Sequence, residues 1–271
     1  MLAKISVFAI FAAMFARKQK KFVLFLITFI GFSSISLGLG KSNIELDYSA
    51  LLAVDSIRME AESNFSAYVS DLYEELGDTN MLYTAFEQAM TGYHNLDKYE
   101  KLARNEVLTV IDFSKASNKK RLYIIDLCNR KMLYKSVVAH GVNTGRLFAR
   151  NFSNDNNSRQ SSLGFYVTTT TYTGKYDLAL RLDGMEHSNS HASSRGVVMH
   201  GAEYATYEFL KKNGSLGRSY GCPAMPYENF HQVVDWIKEG SCLYIYFPSR
   251  SYKRYSKYLN RTKYLEDFIW A

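Results

Sequence analysis

The sequence predicts an α+β protein, in which a small helical region precedes a β-rich, sandwich- or barrel-like domain. Two observations predict it. Residues 45 to 104 carry apolar side chains at helical spacing, and from Glu106 onward short runs rich in Val, Ile, Tyr and Thr are separated by polar turns. With 271 residues, 47% apolar and 15% aromatic, the chain has ample material for a core, which excludes an intrinsically disordered protein.

The formal net charge is +7, but Lys4, Arg17, Lys18, Lys20 and Lys21 supply five of those charges, leaving +2 from residue 41 onward. The basic excess therefore sits beside an apolar run and forms no stripe on a fold, which removes the case for a nucleic-acid partner. The run from Phe22, followed by small residues around Ser33, Ser34, Ser36 and Gly38, has the order of a secretory signal peptide. Counted to Leu39 it is also long enough to be an uncleaved anchor, and Met14 is an alternative start. Residues 1–40 are thus a signal peptide or membrane anchor, and the expected location is exported: the periplasm or cell envelope. Membrane contact is expected only through this segment.

In the helical region, residues 41–104, Leu82, Ala85, Phe86, Ala89, Met90 and Tyr93 fall on one face. Phe65, Tyr68, Val69, Leu72 and Leu76 repeat the pattern in a preceding helix, with "GDTN" as the break. The domain proper, 105–250, is expected to hold seven strands, with Asn129 and Arg130 at a hairpin tip and residues 151 to 162 as a long polar loop. One helix lies inside it: after Pro226, Phe230, Val233, Val234 and Ile237 share a face that ends at Gly240. The tail, 251–271, mixes tyrosines with cations and is expected to be helical and packed on the domain.

Three cysteines in an exported chain leave at least one unpaired. Cys128 and Cys242 end or open strand-like runs and read as small core residues. Cys222, in "GRSYGCPAMP", is different. Pro223 biases it to an extended conformation, the helix after Pro226 offers a positive end that favours thiolate, and Gly221 allows close approach. Consecutive amides of Tyr220, Gly221 and Cys222 are candidates for an oxyanion hole. His200, at the end of the strand "RGVVMH" and followed by Gly201, is a candidate base for that thiol. Arg218 is a candidate cation for a substrate carboxylate, and His140, which also ends a strand before glycine, is a second candidate imidazole, expected in a structural role or at the cleft rim. His187 and His191 are four residues apart, but their Ser- and Asn-rich setting is not helical, so no metal site is expected.

A His-Gly at a strand end followed by Ser-x-Gly-Cys, here "MHG" and "SYGC", resembles the signature of the murein L,D-transpeptidases, the YkuD-like cysteine enzymes that cross-link peptidoglycan. "LTVIDFSKASNKKRLYIIDL", "VVAHGVNTG", "SSLGFYVTTTTYTGKYDLALRLDGME" and "SCLYIYFPSRSYKRYS" extend the resemblance over about residues 80 to 260. The resemblance implies a β-rich catalytic domain and acyl transfer on peptidoglycan stem peptides, with no cofactor. Cys222 would be the nucleophile, His200 the base, and Ser219 and Gly221 backbone-shaping residues and oxyanion contributors. Tyr220, Arg218, Gly201 and His140 would flank the substrate. Tyr220 stands where the widespread signature has a second histidine, and Pro223-Ala224 follows the cysteine where Arg or Asn is common. These departures bear on substrate positioning. Hydrolysis of the same thioester would make a carboxypeptidase or peptidase, and loss of turnover a cell-wall-binding relative.

Overall fold

The computed structural model describes residues 48–77, 80–174 and 177–269, so the signal or anchor segment lies outside the described residues. Two helices come first, α1 (Tyr48–Glu75) and α2 (Tyr83–Lys98). The helical periods read from the sequence are the buried faces: Phe65, Val69 and Leu72 on α1, Leu76 just past its end, and Ala85, Phe86, Ala89, Met90 and Tyr93 on α2 are all buried, whereas Tyr68 is half-buried and Leu82, at the N-cap of α2, is exposed. These faces share one core with the strands that follow. No helix among the described residues is long and apolar enough to cross a membrane.

The strands are β1 (Val107–Asp112), β2 (Leu122–Asp126), β3 (Lys131–Ser136), β4 (Gly164–Gly174), β5 (Asp177–Gly184), β6 (Val198–Gly201), β7 (Ala224–Met225) and β8 (Cys242–Tyr246). They form one mixed, barrel-like sheet in the order β3-β2-β1-β8-β4-β5-β6-β7. Every residue of β1 and β8 is buried, as parallel neighbours at the centre of a covered sheet should be. Arg130, with φ +50°, turns the β2–β3 hairpin. Three further helices are α3 (Tyr207–Asn213), α4 (Phe230–Ile237) and α5 (Arg250–Tyr255). On α4 the four apolar residues read from the sequence are all buried. The tail packs on the domain: Tyr252 and Ser256 both donate to the buried carboxylate of Glu186, and a 3-10 turn, Lys263–Asp267, brings in Leu265.

Cys128 corrects an expectation. It is exposed, because β2 ends at Asp126, whose carboxylate accepts from the Asn129 amide and starts the hairpin turn before Cys128 can enter the sheet. Cys242 is fully buried as expected, and both are free thiols.

Candidate active site

The two halves of the signature meet where β6 runs parallel to β7. His200 pairs with Ala224 and Gly201 with Met225. The ladder bond from His200 N to the Pro223 carbonyl spans 3.4 Å, and one step upstream Val198 N donates to the Cys222 Sγ, also at 3.4 Å. The sulfur therefore takes the place that a carbonyl would hold in a continuing ladder. Cys222 Sγ also lies 3.7 Å from the Gly196 carbonyl.

The turn that carries Cys222 is closed by Ser219. Its Oγ donates to the Cys222 carbonyl at 2.6 Å and accepts from the Gly221 amide at 3.0 Å. The Gly221 amide is thus committed within the turn, which removes it from the three-amide oxyanion hole expected from the sequence. Gly221 has φ +132°, and a Cβ there would lie 2.8 Å from the Gln160 carbonyl oxygen. Backbone conformation and a close backbone neighbour both require glycine. Gly221→Ala is expected to destabilise the fold by ~1–3 kcal/mol and to slow Cys222 acylation in the same protein. Thermal melts and acylation rates check this, and a variant equal to wild type in both would contradict the account of the turn.

Burial is the largest influence on the Cys222 thiol and raises its pKa; the Val198 amide, Arg195 and the residue's own amide pull it partway back. The direction is opposite to the partly ionised thiol expected from the sequence. The reason is architectural: β7 and a 3-10 turn, Tyr227–Asn229, intervene before α4 begins at Phe230. A thiol held in this way rests protonated and needs a base.

His200 is buried, 4% exposed, and its Nδ1 lies 2.9 Å from the Gly201 carbonyl. A carbonyl only accepts, so Nδ1 carries the proton and Nε2 the lone pair of the neutral ring. Burial lowers the His200 pKa, outweighing the Gly201 bond, and keeps the imidazole neutral near pH 7. Tyr204 packs edge-on against the ring at 6.4 Å. Gly201 must be small: a Cβ would meet Tyr227 Cβ at 2.8 Å.

Of the two positions expected for His140, the cleft rim is not the one it takes: it is fully buried. Arg121, itself fully buried, donates to His140 Nδ1 at 2.8 Å, so that nitrogen is the acceptor and Nε2–H faces the Gly145 carbonyl at 3.3 Å. Burial and then the Arg121 charge push the His140 pKa down to about 3. Its segment nonetheless frames the site through the backbone, by the bridges Ala139 to Ala224 and Gly141 to Ser219. Arg218 and Tyr220 are exposed, Tyr220 at 73%. Arg218 reaches the Val142 and Gly145 carbonyls at 3.4 Å, and Tyr220 lies under the Arg159 guanidinium at 4.7 Å.

Sequence reasoning missed Arg195. Its guanidinium holds the polar loop through Ser153 O, Ser162 Oγ, Ser158 Oγ and Gln160 O at 2.6 to 3.1 Å, while its charge is felt at Cys222. Ser161 adds a bond from its Oγ to the Gly221 carbonyl at 2.9 Å. The only sequence signals were a lone arginine before the strand and the serines of "SRQSS". Among the described residues no group of three or more His, Cys, Asp or Glu side chains is placed to hold a metal.

Cys222 is half-buried in its turn, and His200 lies on the strand against which that turn packs. Residues 78–246 match the L,D-transpeptidase catalytic domain, and the chain belongs to that family. Among solved structures, an L,D-transpeptidase from Mycobacterium smegmatis is 14% identical over 52% of this chain and 59% of its own, with TM-score 0.35. L,D-transpeptidase 1 of Mycobacterium tuberculosis is 13% identical over 52% and 62%, with TM-score 0.31. An L,D-transpeptidase from Xylanimonas cellulosilytica is 11% identical over 52% and 60%, with TM-score 0.32. The chain thus spans less than two thirds of the length of these proteins. No curated protein matches it.

Proposed function

We propose that this protein is a cysteine acyltransferase acting on peptidoglycan stem peptides outside the cytoplasm. The observation that carries the proposal is the meeting of the Cys222 turn with the strand that bears His200: Val198 N donates to Cys222 Sγ, His200 N donates to the Pro223 carbonyl, and His200 Nδ1 is tied to the Gly201 carbonyl. His200 Nε2 takes the thiol proton as Sγ attacks a stem-peptide carbonyl. The C–N bond breaks, the proton passes to the leaving amine, and a thioester remains on Cys222. An acceptor amine then attacks the thioester, forming a new amide and returning the proton to sulfur through His200. With the Gly221 amide committed, the amides of Tyr220 and Cys222 are the oxyanion candidates. Ser219 and Gly221 act by shaping the turn, and Arg218 and Tyr220 flank the substrate.

The test is incubation of the purified protein with tetrapeptide-containing muropeptides, followed by mass analysis. Cross-linked dimers are expected. Trimmed monomers would replace transfer with hydrolysis, a carboxypeptidase outcome, and unchanged substrate would leave a non-catalytic wall-binding relative.

A further inference from the structure

Away from the sulfur, a cleft of about 750 Å³ opens between the polar loop, the turn after β5 and the segment that enters α5. That volume suits a small-molecule site. Its apolar surface is aromatic: Phe152 and Phe247 pack with ring centroids 4.9 Å apart, beside Leu163. Part of the polar lining is committed to the fold. Asn154 bonds the His187 carbonyl and Ser190, Ser188 bonds the Leu163 carbonyl, and Ser249 caps α5. The side chains of Arg150, Asn151, Gln160, His187 and Ser251 line the same space and make no hydrogen bond or ion pair among the described residues. An aromatic floor edged by uncommitted planar amides, a guanidinium and a hydroxyl matches the amphipathic faces and hydroxyls of a sugar ring.

The cleft lies one loop away from the nucleophile. Ser153 and Gln160 line it, and the carbonyls of the same two residues hold Arg195. A Cβ placed on Gly221 would lie 3.3 Å from the Arg195 guanidinium. A polymer bound in the cleft by its sugars can therefore carry a peptide branch toward Cys222.

The geometry points to a saccharide subsite in this cleft, one that takes N-acylated amino sugars of a glycan strand while the peptide branch reaches the sulfur. The choice of amino sugar rests on the proposed function; the sugar site itself rests on the lining. Chitotetraose, a stem-free tetramer of N-acetylglucosamine, is the probe, titrated into the full-length Cys222→Ala protein by calorimetry and amide NMR. Saturable binding is expected, with shifts confined to residues 150–155, 160–163, 187–188 and 247–252. The double variant Arg150→Ala/Asn151→Ala, which changes only exposed side chains, should keep the melting temperature and weaken binding by about tenfold or more. No saturable binding, shifts centred on Tyr220, or undiminished binding by the double variant would overturn the subsite. Cys222 acylation in the wild type is measured alongside. Acylation without sugar binding removes the subsite and leaves the proposed function standing, whereas sugar binding without acylation does the reverse.

Discussion

His200→Ala is expected to slow acylation of Cys222 by about a hundredfold or more while leaving the thiol in place, the scale of a lost general base. The size of the effect follows from the resting state. Burial holds the thiol above its ordinary pKa, so little thiolate exists near neutrality and proton removal is part of the barrier. The same burial holds His200 below its ordinary value, so at pH 7 it is neutral and able to accept. In the wild type the acylation rate should rise with pH through a value below about 6.5 and then level off. The alanine variant should lack that limb and climb only in alkaline solution as the thiol ionises unaided. His140→Asn is the control: His140 is locked between Arg121 and Gly145 and should not reproduce the lost pH limb even if the fold weakens. A His200→Ala protein that acylates at the wild-type rate and with the wild-type pH profile would remove His200 from the chemistry.

The second large effect is loss of stability in mild acid. His94 stands among the rings of Phe65, Tyr68, Tyr93 and Phe268, and its Nε2 is buried with no hydrogen-bond partner. Burial lowers its pKa to about 4, against the pull of Asp267 and Asp97 and with the help of Lys98. His140 is lowered to about 3 by burial and by Arg121. For both, the folded value lies below the unfolded one near 6.5, so the unfolded chain binds more protons at every pH between the two. Their contribution is complete above about pH 6.5 and is lost as pH falls, each histidine costing about 1.4 kcal/mol per pH unit through that window. Urea unfolding at pH 7 and pH 5 should show the loss. His94→Phe, which keeps a ring in the aromatic cage and breaks no bond at Nε2, should make the difference between the two pH values smaller by about 2 kcal/mol. A pH dependence unchanged by His94→Phe would contradict this assignment.

The parts of the molecule legible in the sequence were those with a period or a punctuating residue. The faces of α1, α2 and α4 repeat every third or fourth residue, and the buried residues follow the pattern. Cys222 was legible because glycine and proline bracket it. Its electrostatics were not. Distance to a helix end and depth of burial depend on β7, a two-residue strand with no periodicity, and burial dominates the thiol. Arg195 was missed, and residues 151 to 162 read only as a long polar loop, because polar residues without a period carry no sign of their partners. Their bonds close only when the loop meets the residues before β6. His140 resembled His200 in its strand-end setting before glycine, but the structure gives them different surroundings: His140 is held between buried Arg121 and the Gly145 carbonyl, His200 by the Gly201 carbonyl.

The most direct test of the account is intact-mass and peptide-map analysis of the folded protein after exposure to a carbapenem, an acylating agent that needs an activated thiol. One adduct per chain is expected, on the peptide containing Cys222, absent from Cys222→Ala and retained in Cys128→Ala. Simple alkylation should behave differently, marking exposed Cys128 readily and leaving buried Cys242 untouched until the protein unfolds. An adduct that persists in Cys222→Ala, or a folded wild-type protein that forms none, would contradict the claim that Cys222 is the nucleophile.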